Sequence, residues 1–229
     1  MKLKQMKFRG GVTISKNYTE LGYENKEEWH ELRGKAIGGS DVATIMHLNK
    51  YKNAQDLWKE KTGRKSRVNL DGNLAVQRGN KSENLLLEHF QINNGDYIVS
   101  KLDKTLRSTK YGFMIANLDG VVEHKELGKG VLEIKTATCH SWKVFESTWK
   151  DDVPLGYWLQ IQHYMLVTGW KYAILYADIR LEFTEDKKHE IKMYKFQRNE
   201  EAIKEIIEAE IEFNSFLIND IEPPLTINL

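Results

Sequence analysis

The segment Val131–Lys135, with the sequence Val-Leu-Glu-Ile-Lys, constrains the fold more than any other stretch of this chain. Side chains alternate across a β-strand, so Leu132 and Ile134 predict a buried face. Glu133 and Lys135 then share the opposite face, about 7 Å apart. A charged pair on a strand is most often a surface ion pair of little energetic value. The segment therefore predicts a strand. Whether its charged face forms a functional site has to be judged from the residues predicted to lie near it.

The spacing of hydrophobic residues is helical in the first part of the chain and strand-like in the middle, and the last part contains both patterns. We expect helices within Glu27–Gly34, Asp41–Leu48, Asn53–Gly63, Leu74–Ile92, Leu155–Thr168 and Asn199–Leu217, with a further short helix opening at Ser141. We expect strands within Tyr97–Leu102, Tyr111–Ala116, Gly120–His124, Val131–Ala137, Lys171–Phe183 and Glu190–Phe196. This order predicts an α/β fold, with a central mixed β-sheet flanked by helices on both faces and an N-terminal helical part. The length of 229 residues fits one domain, 1–229.

Composition excludes several classes of protein. The 34 basic and 33 acidic residues give a net charge of +1, which argues against a strongly basic nucleic-acid coat but permits a local basic channel. Cys139 is the single cysteine, so an internal disulfide, a Cys-rich zinc site and a Cys-ligated iron–sulfur cluster are excluded. Residues Met1–Val12 lack the apolar core of a signal peptide, and no apolar run is long enough to cross a membrane. We therefore expect a cytoplasmic protein.

Carboxylates near the charged strand indicate a metal site. Asp119 lies one predicted strand earlier, in Asn117-Leu118-Asp119-Gly120. Two carboxylates on adjacent strands, with a backbone carbonyl between them, suit a hard cation such as Mg²⁺ or Mn²⁺. Lys135 could then hold or polarise an attacking water. Two points stay open: Asp119-Gly120 could be only a hairpin turn, and Glu83 is either a third carboxylate or an exposed helix residue.

Gln162 lies on the apolar face of the helix predicted at 155–168. Its neighbours three and four residues away are Trp158, Leu159, Met165 and Leu166. A buried glutamine needs hydrogen-bond partners. Gln162 is therefore either a satisfied core amide or a side chain that faces a polar site at the sheet. Gln160 lies on a different face and is the weaker candidate.

In combination, these residues resemble the YqaJ-type viral recombinases, the phage lambda exonuclease group of the PD-(D/E)XK nuclease superfamily. The resemblance runs from about Glu28 to Gly169. The matching stretches, in the family's order, are Trp29–Arg33, Ile37–Ala43, Gly79-x-x-x-Glu83, Leu118–Gly120, Leu132–Lys135 and Gln160–Tyr164. Leu118 stands where the family motif usually has proline. The resemblance implies a restriction-endonuclease-like core and leaves residues 170–229 as scaffold strands and a final helix.

The resemblance also implies roles for the matched residues. Those that would bind Mg²⁺, for which Mn²⁺ can substitute, are Asp119, Glu133, the backbone carbonyl of Ile134 and Glu83. Lys135 would position the attacking water, and Gln162 would contact the site from its helix. The residues that would bind DNA are Arg33, Ser40 and Gln160.

Arg33 and Ser40 match the family's pocket for a terminal phosphate. An arginine binds phosphate oxygens in a fork, and the helix start at Gly38-Gly39-Ser40 offers free N–H groups. The alternative for Ser40 is a plain N-cap.

The implied activity is metal-dependent exonucleolytic hydrolysis of linear double-stranded DNA from 5′-phosphorylated ends, in the 5′→3′ direction. The product would be a 3′ single strand for a single-strand annealing recombinase, in phage-type homologous recombination within a bacterial host. Some family members form ring-shaped trimers. The residues leave two alternatives open: an endonuclease or single-strand nuclease of the same fold, and a DNA-end-binding adaptor that has lost the chemistry.

Overall fold

The computed structural model describes residues 15–66 and 72–225. The expectation about a signal peptide concerns residues 1–12, which lie outside these ranges. In chain order the elements are β1 (Tyr18–Leu21), α1 (Lys26–Gly34), β2 (Ile37–Gly38), α2 (Gly39–Ile45), α3 (Ala54–Lys61), α4 (Leu74–Asn93), β3 (Tyr97–Ser100), β4 (Thr105–Ser108), β5 (Met114–Ala116), β6 (Gly120–His124), β7 (Gly128–Cys139), α5 (Trp142–Thr148), α6 (Leu155–Thr168), β8 (Tyr172–Leu181), β9 (His189–Gln197) and α7 (Glu200–Asn219). None of the helices in the described part combines the length and apolarity that a membrane crossing requires.

The strands form two mixed sheets. The five-stranded sheet has the order β3-β6-β7-β8-β9, with β7 and β8 parallel and the other pairs antiparallel. The four-stranded sheet has the order β1-β4-β5-β2, with β2 and β5 parallel. The α/β class with a mixed sheet flanked by helices is confirmed, and the four-stranded sheet is a second sheet that the sequence did not reveal. The strands β1, β2 and β4 are only 4, 2 and 4 residues long, which is too short to give a clear alternating pattern.

Helix α6 lies between the two sheets. The largest cluster of buried apolar side chains joins Leu106 and Met114 of the four-stranded sheet to Ile161 and Met165 of α6. The same cluster continues into the five-stranded sheet through Leu175. Because both sides of α6 are covered, the helix is apolar nearly all round, as expected for an interior helix.

Helix α4 covers the opposite face of the five-stranded sheet. Its residues Leu87 and Phe90 belong to one buried cluster with Leu132 and Ile134 of β7. The alternation predicted for Val131–Lys135 is therefore confirmed. The apolar face of β7 packs against α4, and the charged face is turned toward α6.

Side-chain caps fix several helix starts. The side chains of Asn53, Ser141 and Asn199 each accept a hydrogen bond from a backbone N–H in the first turn of α3, α5 and α7. A cap of this kind satisfies a donor that the helix itself leaves unpaired. These three starts agree with the sequence-based prediction.

A buried polar pair joins α6 to α7. His163 and Glu210 are both fully buried, with His163 Nδ1 2.7 Å from Glu210 Oε1. His163 Nε2 donates to the carbonyl of Ile115 at 2.9 Å, and a carbonyl can only accept, so Nε2 carries a proton. The charge of Asp41 raises the pKa of both residues, and the charge of Lys61 lowers the pKa of Glu210. It ties the helix that carries Gln160 and Gln162 to β5 on one side and α7 on the other.

Candidate functional site

Asp119 lies where the chain passes from one sheet to the other. It follows β5 and precedes Gly120, the first residue of β6. Its Oδ2 accepts the backbone N–H of Ile134 at 2.8 Å, which holds the carboxyl group against β7. A Cβ added to Gly120 would lie 3.0 Å from Leu87 Cδ2 of α4. Asp119-Gly120 is therefore a point of close approach and not a hairpin turn.

Glu133 is the centre of the site. It is 1% exposed, and its Oε1 accepts hydrogen bonds from Gln160 Nε2 at 2.7 Å and from the ammonium of Lys135. Its Oε2 is buried and has no hydrogen-bond partner among the described residues. A buried carboxylate oxygen without a partner is costly. Oε2 is thus an atom that a bound cation would satisfy.

The charges of the cluster are not balanced. Burial, and then the charge of Glu133, raise the pKa of Asp119 well above its usual value. Burial raises the pKa of Glu133 as well, although Lys135 acts in the opposite direction. For Lys135, burial favours a lower pKa, but the charges of Glu133 and Asp119 outweigh burial and the pKa is raised. The buried Glu133 and the partly exposed Asp119 lie near a single ammonium, so a further cation would favour the ionised forms of both carboxyl groups.

Lys135 is held on two sides. Its ammonium contacts Glu133 and lies 5.0 Å from the ring centroid of Tyr157 on α6. Its side chain keeps 18% of its exposure, so it can still reach a molecule in the adjoining pocket. The structure therefore brings Asp119, Glu133 and Lys135 together, as the sequence predicts.

A pocket of about 340 Å³ opens beside these residues. Its walls are formed by Ala75, Val76, Gly79, Asn80 and Glu83 from α4, and by Asp119, Ile134, Lys135 and Thr136. Glu83 thus lines the pocket, but its carboxylate pairs with Lys101 at 3.1 Å. The geometry does not place Glu83 as a direct third ligand, since the described residues contain no group of three His, Cys, Asp or Glu side chains placed to hold one metal ion. Mg²⁺ typically binds one or two carboxylates together with substrate phosphate oxygens, so the donor set fits Mg²⁺ better than zinc.

The two glutamines of α6 have roles opposite to those predicted. Gln160 donates to Glu133 and, at 2.8 Å, to the hydroxyl of Tyr164. Gln162 is fully buried, and its amide donates to the Gln197 carbonyl at 3.0 Å and accepts from the Asn199 N–H at 2.9 Å. The prediction that Gln162 contacts the site is corrected: it is the satisfied core amide, and it ties α6 to the start of α7.

Arg33 and Ser40 meet as the resemblance implies. Arg33 Nη2 donates to Ser40 Oγ at 2.7 Å, and the guanidinium lies 5.1 Å from the ring centroid of Trp29. Helix α2 begins at Gly39 with Gly38 as its N-cap residue, so Ser40 lies inside the first turn. The plain N-cap interpretation of Ser40 is therefore wrong.

Gly39 lies between the Arg33–Ser40 pair and the carboxylate cluster, which consists of Asp119, Glu133 and the adjoining Lys135. A Cβ added to Gly39 would lie 2.7 Å from Tyr164 Cε1 and 2.9 Å from Gln160 Cγ. The start of α2 therefore rests directly on α6 at the residue that holds Glu133. Sequence reasoning did not identify the roles of Gly39 and Tyr164. The four-residue spacing of Gln160 and Tyr164 on one helix face was the available signal.

Comparisons with known proteins identify the family of this chain. The sequence model of the family described as YqaJ-like viral recombinase domain matches residues 28–171, more than half of the chain. The uncharacterized protein YqaJ of Bacillus subtilis (strain 168) is 33% identical over 189 residues, which are 82% of this chain and 55% of that protein. The chain thus spans about half the length of this curated relative. The resemblance inferred from the motifs is confirmed.

Solved structures share the fold. The alkaline exonuclease LHK-Exo from Laribacter hongkongensis matches with a TM-score of 0.65 and 22% identity, over 86% of this chain and 95% of that chain. LHK-Exo in complex with dAMP gives a TM-score of 0.66 at the same identity and coverage. A phage related exonuclease from Haemophilus somnus matches with a TM-score of 0.54 and 18% identity, over 81% of this chain and 96% of that chain.

Proposed function

This chain belongs to the YqaJ-like viral recombinase family, and we propose that it is a metal-dependent DNA exonuclease. The proposed reaction is hydrolysis of linear double-stranded DNA from 5′-phosphorylated ends in the 5′→3′ direction. The observation that carries the proposal is the buried Glu133 with its unpartnered Oε2, next to Asp119 and Lys135. The structural relatives named as exonucleases support it, one of them in complex with dAMP, a nucleoside monophosphate.

The residues that would hold Mg²⁺ are Asp119, Glu133 and the carbonyl of Ile134, with Glu83 on the facing wall of the pocket. Bound Mg²⁺ would stabilise negative charge on the reacting phosphate oxygens. The chain supplies the orientation: the Ile134 N–H fixes Asp119, and Gln160 fixes Glu133. Lys135 presents an ammonium that can donate to the attacking water or to a phosphate oxygen.

The DNA end would be bound by Arg33 and Ser40, because both amide hydrogens of Gln160 are already donated to Glu133 and Tyr164. The guanidinium of Arg33 suits a phosphate because its donors form a planar fork. Since Gly39 seats the start of α2 against Gln160, a phosphate bound by Arg33 would be positioned relative to Glu133. The 3′ single strand left by such an enzyme would be the substrate of a single-strand annealing recombinase. A ring-shaped trimer stays a prediction from the family resemblance.

The proposal is tested by digestion of one linear duplex labelled at a 5′ end or internally, with Mg²⁺, with Mn²⁺ and with EDTA. We expect metal-dependent release of nucleotides from the 5′ ends, with closed circular DNA left intact. Lys135→Ala should abolish release while DNA binding is retained. Lys129→Ala, an exposed lysine on the same strand β7, is the matched control and should behave as the wild type.

Three results would contradict the proposal. Cut circles would indicate an endonuclease. Digestion confined to single strands would indicate a single-strand nuclease of the same fold. DNA binding without product in any metal would indicate an end-binding adaptor.

A further inference from the structure

Arg107 of β4 differs from the other arginines in the described ranges. Its Nε is buried without a hydrogen-bond partner, and burial lowers the pKa of its guanidinium with no acidic group acting in the opposite direction. The arginines that pair with a carboxylate are Arg64, Arg78, Arg180 and Arg198. Arg33 contacts Ser40 and Trp29. A partly buried cation without a counter-charge costs stability, and an anionic ligand would supply that counter-charge.

The strand register places Arg107 in the same row as the start of α2. Arg107 is the register partner of Ile115 on β5, and Ile115 is the partner of Gly38 on β2. Register partners point to the same face of a sheet. With about 4.8 Å between neighbouring strands, the Cα atoms of Arg107 and Gly38 are roughly 10 Å apart.

Helix α1 identifies which face this is. Trp29 Nε1 donates to Asn117 Oδ1 at 3.1 Å, and Thr105 Oγ1 donates to the same oxygen at 2.7 Å. Thr105 and Arg107 are two residues apart on β4, so their side chains point to the same face. Since the ring of Trp29 also contacts the guanidinium of Arg33, both arginines lie on the side of the four-stranded sheet that α1 covers.

This face of the four-stranded sheet lies next to the carboxylate cluster. Asn117 is two residues before Asp119, and its side chain is already fixed by Trp29 and Thr105. An anion on this face would therefore lie between the Arg33–Ser40 pair, Arg107 and the Asp119 end of β5. The donors available there are guanidinium and hydroxyl groups, which suit a phosphate.

We propose that Arg107 binds a backbone phosphate of the DNA strand whose terminal phosphate is held by Arg33 and Ser40. The proposal rests on the proposed DNA-end activity and extends it to a second phosphate contact. The fork of the guanidinium matches phosphate oxygens, and ligand binding would supply the counter-charge that the described residues lack. Arg107 would add affinity without reading sequence, as phosphate contacts do.

The test is equilibrium binding of a 5′-phosphorylated duplex end, in EDTA to prevent hydrolysis, over a range of about 50–200 mM salt. Arg107→Met keeps an unbranched, flexible side chain and removes its charge. We expect about tenfold weaker binding at low salt, and a slope of log affinity against log salt that is smaller by about one. Arg107→Lys keeps the charge without the fork, so it should retain the salt slope and lose part of the affinity. Lys204→Met removes a charge from an exposed residue on α7, 78% exposed, and should change neither quantity.

Thermal unfolding of the same variants separates binding from packing. Arg107→Met should be at least as stable as the wild type because it removes an uncompensated cation. A variant that loses stability and keeps the wild-type affinity and salt slope would overturn the proposal and assign Arg107 to packing. If the wild type digests DNA while Arg107→Met binds normally, the Arg107 proposal fails alone. If the wild type neither binds nor digests DNA, the proposed function fails with it.

Discussion

The substitution Gly39→Ala tests whether the contact between α2 and α6 positions the site. The added Cβ would lie 2.7 Å from Tyr164 Cε1, 2.9 Å from Gln160 Cγ and 3.1 Å from the Gln160 carbonyl oxygen. Tyr164 is 5% exposed and Gln160 8% exposed, so neither side chain can move into solvent without disturbing the core. The two helices must separate, and Gln160 moves with α6 away from its bond to Glu133.

Both the stability and the activity should change. Overpacking of this kind costs about 1–3 kcal/mol. Gly34→Ala is the matched control, because its Cβ would meet nothing within 4 Å and a helical Gly→Ala change gains roughly 0.5–1 kcal/mol. The two variants should therefore differ by about 1.5–4 kcal/mol, or roughly 3–16 °C in Tm for a chain of this size. Loss of the partner of a metal-binding carboxylate should also lower the activity of Gly39→Ala by about 10–100-fold.

The measurement combines urea unfolding of both variants with the release of nucleotides from a linear duplex. Activity is measured well below the unfolding transition, so a loss of turnover cannot come from unfolded protein. Equal stability of Gly39→Ala and Gly34→Ala would refute the steric argument. A destabilised Gly39→Ala with wild-type turnover would show that the α2–α6 contact supports the fold but does not position Gln160.

Three further predictions concern residues around this contact. Gln160→Ala should lower turnover about 10–100-fold with little effect on folding. Gln162→Ala should instead cost about 1–3 kcal/mol, because it removes a fully buried amide that pairs with the Gln197 carbonyl and the Asn199 N–H. Paired urea and turnover measurements check this, and the reverse pattern would restore Gln162 to the site. Arg33→Ala should reduce the preference for 5′-phosphate over 5′-hydroxyl ends, and an unchanged ratio of the two digestion rates would remove Arg33 from the phosphate pocket. Burial opposes a raised pKa of His163, but Glu210 and the Ile115 carbonyl outweigh it, while burial raises the pKa of Glu210. Because the pKa of His163 is raised in the folded protein, folding favours the protonated imidazole. The stability that His163 contributes is therefore full below its unfolded pKa of 6.5 and is lost as pH rises through its folded pKa. The free energy of unfolding, measured from about pH 6 to about pH 9, should fall less in His163→Gln than in the wild type, and parallel profiles would count against a role of the His163–Glu210 pair.

Local sequence patterns determined much of the site. The alternation in Val131–Lys135 is a property of a single strand, so it correctly separated Leu132 and Ile134 from Glu133 and Lys135. Capping residues act within one helical turn, and for that reason the starts of α3, α5 and α7 were predictable. The matched motifs were sufficient to identify the family.

The tertiary structure alone decided which glutamine faces Glu133. Because α6 lies between the two sheets, it buries both of its sides, and burial on a helix wheel cannot distinguish Gln160 from Gln162. The choice depends on how the start of α2 docks at Gly39, a contact between segments more than a hundred residues apart. The division of the strands into two sheets, and with it the place of Arg107, likewise depends on pairing between distant short segments. Local propensity is weak in such strands, so their partners are chosen by packing across the whole chain.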